Sequence, residues 1–253
     1  MISERRRRSL IATTTLFIMG CGASAPSVLL PQQPPTASYL FGLGLGEATF
    51  TMTEYEKSKP GAGAVLPLTL NGKTIAQIDG RSFKQSTTKF LEAEALAHLT
   101  PVKGADGKLV ALIVNIPKIL PAHTGMFNFS SKIFSAVPRV DGLNSAMEHD
   151  GVALYPWATV SPKMSYSGQF STVIELATPG GFEPFATIEF TAFNNGTHSG
   201  KLTLTDGTAV AKFARAEGGT SYTTAAGVDA GLLVSAHVAS VKIVKDSDQR
   251  GGA

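Results

Sequence analysis

The chain has 253 residues, 43% of them apolar and 16% charged, against ~25% charged in an ordinary soluble domain. That much apolar surface can offset the entropy of ordering the chain, which excludes intrinsic disorder for most of it. The 22 basic and 19 acidic side chains give a formal +3, yet Arg5, Arg6, Arg7, Arg8 and Glu4 all precede residue 21, leaving 18 of each sign in the remainder. No basic stripe follows Arg8, so nucleic acid is not an expected partner.

Residues 1–20 (MISERRRRSLIATTTLFIMG) join a charged n-region to an uncharged stretch from Ser9 to Gly20. That stretch is too short to span a bilayer, which takes ~20 apolar residues, but it suits the h-region of a secretory signal. The run Ile18-Met19-Gly20-Cys21 resembles the lipobox of bacterial lipoproteins. The resemblance covers only these twenty or so residues. It implies that Cys21 is acylated, becomes the first residue of the mature protein and holds it to a membrane of the bacterial envelope. Residues 21–37 carry Pro26, Pro31, Pro34 and Pro35 and read as an extended tether. A basic arm of a virion coat protein is the alternative reading of the N-terminus. Cys21 is the sole cysteine, which excludes an internal disulfide and any multi-cysteine metal site.

From Ser38 to Asp246 the chain reads as a single β-rich domain. Asn71-Gly72 separates Leu66-x-Leu68-x-Leu70 from Thr74–Ile78, a strong hairpin signal because the two-residue turn needs positive φ. Asp106-Gly107 and Asp206-Gly207 repeat the pattern, and further turn pairs stand at 79–80, 141–142, 150–151 and 195–196. In Ala186–Phe193 the residues Ile188, Phe190 and Ala192 share one face, while Thr187, Glu189 and Thr191 share the other, as in a half-buried antiparallel strand. Lys89–Leu99 is rich in helix formers but leads into a hairpin turn, and we read it as strand. Asp141–Asp150 is expected to hold a single helical turn. Leu232–Val244 reads as a strand buried on both faces, and Ser247–Ala253 as a polar tail. The total is about ten to twelve strands, and the expected form is all-β, an antiparallel β-sandwich or jelly roll with at most one or two short helices.

Chemistry is sparse. The histidines His98, His123, His149, His198 and His237 show no metal-ligand spacing, and Glu148-His149-Asp150 reads as a solvated turn. His237 reads as a buried, hydrogen-bonded core histidine. No Gly-x-Ser-x-Gly elbow exists. Gly42-x-Gly44-x-Gly46 runs into a strand rather than a helix, unlike a phosphate loop. Asp246-Ser247-Asp248 is too short for a calcium loop. The sequons at Asn128 and Asn195 are coincidental in a bacterial chain. We therefore expect no cofactor and no metal.

The aromatic group Tyr155, Trp157 and Tyr166 is the candidate ligand-binding surface, since such rings stack on sugars or partner surfaces when exposed. The expected role is binding or structural, with an envelope protein or a glycan as partner. The alternative is an exported hydrolase or lyase of polymers working through Glu148–Trp157, which would need paired carboxylates.

Overall fold

The computed structural model describes residues 48–53, 65–79, 83–86, 96–118, 128–164, 170–192, 199–216 and 219–248. The expected signal and tether, Gly42, Gly44 and Gly46, and residues 89–95 lie outside them. The described strands are β1 (Ala48–Thr53), β2 (Val65–Leu70), β3 (Lys73–Asp79), β4 (Phe83–Ser86), β5 (Leu96–Gly104), β6 (Leu109–Lys118), β7 (Asn128–Ser135), β8 (Met147–His149), β9 (Val152–Met164), β10 (Phe170–Thr178), β11 (Gly181–Ala192), β12 (Ser199–Leu204), β13 (Ala209–Ala216) and β14 (Gly219–Thr224). One helix follows, α1 (Ala230–Asp248).

Every pairing is antiparallel and joins strands that follow one another along the chain or are separated only by the short β4 or β8, except that β1 pairs with β14, Ala48 opposite Thr224 through Thr53 opposite Gly219. That pairing closes the sheet on itself. β4 meets β5 at Leu96–Leu99, while β3 meets it at Val102–Gly104. β8 likewise pairs with Val152–Leu154 of β9, just short of Tyr155 where β7 ends. The strands therefore make a closed barrel of 12 staves. This overturns the expected sandwich or jelly roll. Those folds stack two sheets and send the chain across between them. Here each stave pairs with the stave before it in the chain.

The turns follow from their residues. Asn71 and Gly72 have φ of 51° and 76°, and Asp150 and Gly151 have φ of 51° and 75°, the two-residue geometry whose twist matches the flanking strands. Asp106-Gly107 and Asp206-Gly207 make longer turns, in which the aspartate Oδ1 accepts the N–H of Lys108 at 3.1 Å and of Thr208 at 2.8 Å. The ladder slips beside each, at Val102/Lys103 and Leu202/Thr203, and such bulges add the curvature that a barrel needs.

Alternation decides the two faces of the wall. Leu66, Leu68, Ile78, Val102, Ile113, Ile133, Val160, Ile174, Ile188, Leu202 and Phe213 point inward and are buried. The opposite parity carries Thr69, Gln77, Lys132, Thr159, Glu175, Thr187, Glu189, Lys201, Lys212 and Thr223, all exposed or half-buried. A lipid-embedded barrel shows the reverse, an apolar outer band. Only β5, β6, β7 and the start of β9 are apolar on both faces. There Leu99, Leu109, Leu112, Val114, Phe134 and Leu154 form a second, outer cluster, covered by Ala136, Met147 and Val152.

The segment read as a strand at 232–244 is instead α1. Asp229 caps it: its Oδ1 accepts the N–H of Leu232 at 2.9 Å and its carbonyl accepts that of Leu233 at 3.1 Å. Every residue from Ala230 to Ser240 is buried, because the helix lies in the barrel lumen with wall on all sides. A helix surrounded in this way needs no polar stripe, so its sequence carries no helical period to read. The helix continues through Ser247 and Asp248, where a tail was expected. The helical turn expected at 141–150 is also absent. Gly142 has φ of 84°, which ends any right-handed turn, and the chain runs extended into β8.

Gly200 on β12 shows how closely neighbouring strands of the wall are fitted. A Cβ there would lie 2.5 Å from the Glu189 carbonyl oxygen and 2.7 Å from Phe213 Cζ. Gly200→Ala should therefore cost about 1–3 kcal/mol by overpacking, read as a lower urea midpoint with an unchanged slope. An unchanged midpoint would show that the β11–β12–β13 wall has room to give.

Candidate functional site

The densest polar and aromatic grouping among the described residues lies inside the barrel, around His237 of α1. Its Nδ1 lies 2.6 Å from the Tyr222 hydroxyl on β14, and its ring stacks on Phe213 of β13 with centroids 4.3 Å apart. Phe190 of β11 packs edge-on to Phe213 at 5.7 Å, and Phe170 of β10 lies 5.4 Å from Phe190. One turn along the helix, Ser240 Oγ lies 2.9 Å from Thr172 Oγ1 of β10 and also donates to the Ala236 carbonyl at 2.7 Å. His237 and Ser240, at i and i+3, thus hold one side of the helix to β10–β14. Its backbone runs closest to β6, β7 and β9 on the other side. By helical period that side carries Gly231, Ser235 and Ala239, small enough to allow the approach.

Burial pushes the Tyr222 phenol well above its ordinary range, so the hydroxyl keeps its proton. With Tyr222 donating, Nδ1 accepts and the histidine proton sits on Nε2. A protonated phenol and an imidazole sealed among three phenylalanines suit packing and alignment.

A second grouping closes one end of the barrel. Between β7 and β8 the chain makes an excursion over residues 136–146 that carries Arg139, only 6% exposed. Its Nε and Nη2 both donate to the Ala177 carbonyl on β10, at 2.9 and 2.6 Å. Burial pulls the guanidinium below its ordinary value, and the charges of Glu183 and Asp229 oppose that shift.

Of the residues expected to bind ligand, Tyr155 and Trp157 are described. Trp157 is 1% exposed and faces the lumen, whereas Tyr155 is half-buried on β9. Tyr166 and Cys21 lie outside the described residues. Trp157 therefore forms no exposed stacking platform. Glu148 is exposed on β8 whereas Trp157 is buried, so the two do not share an exposed surface. His149 Nε2 and Asp150 Oδ2 stand 3.8 Å apart at the hairpin tip, and no group of three metal-ligating side chains forms among the described residues. His237 is buried and hydrogen-bonded, as expected, but on a helix. Sequence reasoning passed over Tyr222, Phe213, Ser240 and Arg139. Asp229, a capping residue ahead of a long apolar run, was the one local signal that could have revealed the helix and hence the cluster. Comparison of the chain with known protein families, with curated proteins and with solved structures found no match.

Two measurements check this geometry. Emission from Trp157, the sole tryptophan, should be shielded from iodide in the folded protein. Quenching as strong as in the unfolded chain would place it at the surface. Tyr222→Phe leaves Nδ1 buried without its donor, and should cost about 1–3 kcal/mol in urea unfolding. A cost within error of zero would show that the contact does not hold the helix.

Proposed function

We propose that the chain is an exported protein of the bacterial cell envelope, held to a membrane by lipid on Cys21, with a binding or scaffolding role. The observation that carries the second half of this reading is the occupied lumen. Barrels that hold a small ligand keep it inside the staves. Here α1 takes that space, with every residue from Ala230 to Ser240 buried. The surfaces left for a partner are the outer wall and the two ends. The wall offers Thr, Ser, Lys and Glu side chains to water, a chemistry suited to another envelope protein or a glycan.

The first half rests on the N-terminal sequence, a basic n-region, an uncharged h-region and a lipobox-like run in series. A polar outer wall fits it, since such a barrel needs an anchor to stay at a membrane. The proline-rich residues 22–37 would give the barrel reach from that anchor.

The test is the intact mass of the protein recovered from native membranes, beside a Cys21→Ser variant. The expected product starts at Cys21 and carries added acyl mass, which the variant lacks along with membrane retention. A chain that still begins near Met1 would overturn the anchored reading.

A further inference from the structure

α1 meets the barrel differently on its two sides. Toward β10–β14 it is held by direct side-chain bonds, Tyr222 to His237 and Thr172 to Ser240, among the rings of Phe170, Phe190 and Phe213. The side toward β6, β7 and β9 carries three buried polar side chains, Asn115 on β6, Trp157 on β9 and Ser235 on the helix, 4%, 1% and 0% exposed. Among the described residues, Asn115 Nδ2, Trp157 Nε1 and Ser235 Oγ have no hydrogen-bond partner. We propose that this helix–wall interface is a water-binding site, in which buried water accepts from Asn115 and Trp157 and donates to Ser235.

Local structure explains why each group is left over. Asn115 lies opposite Ser131 of β7, whose hydroxyl donates to Asn115 Oδ1 at 2.7 Å. Ser131 serves only one end of the amide, so the other end is unserved whichever way the amide is turned. On β9 the ladder slips. Ala158 pairs with Ile133 and Pro156 with Phe134, which leaves Trp157 as the extra residue of a bulge. Trp157 and Ala158 therefore both join the lumen core although they are adjacent in the chain. Ser235 lies, by helical period, on the side of α1 opposite His237 and Ser240. Ser240 Oγ bonds back to the carbonyl four residues earlier, and Ser235 Oγ does not. The strands of Asn115 and Trp157 are separated by β7 alone, and the helix backbone runs closest to these three strands. An indole N–H and an amide N–H can only donate, while a serine hydroxyl both donates and accepts. Water supplies the missing acceptor and a proton for the hydroxyl, and a buried water takes ~2–4 polar partners. Leaving such groups dry and unpaired is strongly disfavoured.

Water–protein NOE spectroscopy on the isotope-labelled full chain tests this. In the wild type, the Trp157 indole proton and the Asn115 side-chain amide protons should each show a cross peak to water. Its sign should be that of water tumbling with the protein. The intensities should not change with pH, because contact with water is independent of pH whereas relay through an exchanging hydroxyl is catalysed by acid and base. Ser235→Ala, which a helix accepts readily, should shift the Trp157 and Asn115 resonances together and leave the β12–β13 hairpin unmoved. A missing water peak at either group, a peak that follows pH, or a shift at only one of the two in Ser235→Ala would each overturn the site. The wild-type spectra decide the matter even if the variant does not fold.

Discussion

Twelve antiparallel staves enclose more space than their inward side chains can fill, and the rest of this protein follows from how that space is occupied. With about eight staves, side chains from opposite walls meet and pack, while barrels of sixteen or more keep an aqueous channel. Between these limits the lumen must hold a ligand, water or part of the chain. An α-helix with its side chains is ~10–12 Å across. Here α1 fills that width, and its residues join Leu66, Ile113, Ile188 and Phe213 in one continuous core.

The helix also bears on how the barrel stays shut. Every stave pairs with the staves before and after it in the chain except at the seam, where β1 meets β14. Tyr222 lies on the seam strand, and its bond to His237 fastens that strand from within. Phe213 on the adjacent strand lies flat against the same imidazole, an approach that Gly200 permits by lacking a Cβ. Wall and helix are therefore not separable layers. The bulges beside Asp106-Gly107 and Asp206-Gly207 curve the wall toward closure, and the helix gives the curved wall something to close upon.

The same occupancy shapes the functional reading. An imidazole, a phenol and two hydroxyls gathered inside a protein invite a catalytic interpretation, yet here they align a helix. The polar parity of the strands faces outward, and the proposed contact with other molecules falls to that surface and to the barrel ends. One end carries residues 136–146, where the buried Arg139 is bonded to the Ala177 carbonyl of β10. The proposed export and lipid anchoring rest on residues 1–21, and the polar outer wall of the barrel is compatible with that proposal.

The strands and many of their turns were legible locally. Asn71-Gly72 needs positive φ and takes it, and Ile188 and Phe190 share a buried face because alternate residues of any strand must. Alternation could not distinguish a sandwich from a barrel, since an inward face looks the same whether it opposes a second sheet or a central helix. The helix was misread for a related reason. Leu232–Val244 is apolar all round because wall surrounds it, and a run without period fits a doubly buried strand as well as a buried helix. Its length and the cap at Asp229 were the only local arbiters. Trp157 and Arg139 sit in unremarkable strand and loop sequence, and their burial depends on staves and segments distant along the chain. The sequence by itself determined where strands run and turn, the neutrality of the body and the lipobox-like start, because each of these depends on neighbouring residues. Closure at the seam, the helix in the lumen and the burial of Arg139 were decided only by tertiary structure, because each depends on what fills the space the staves enclose.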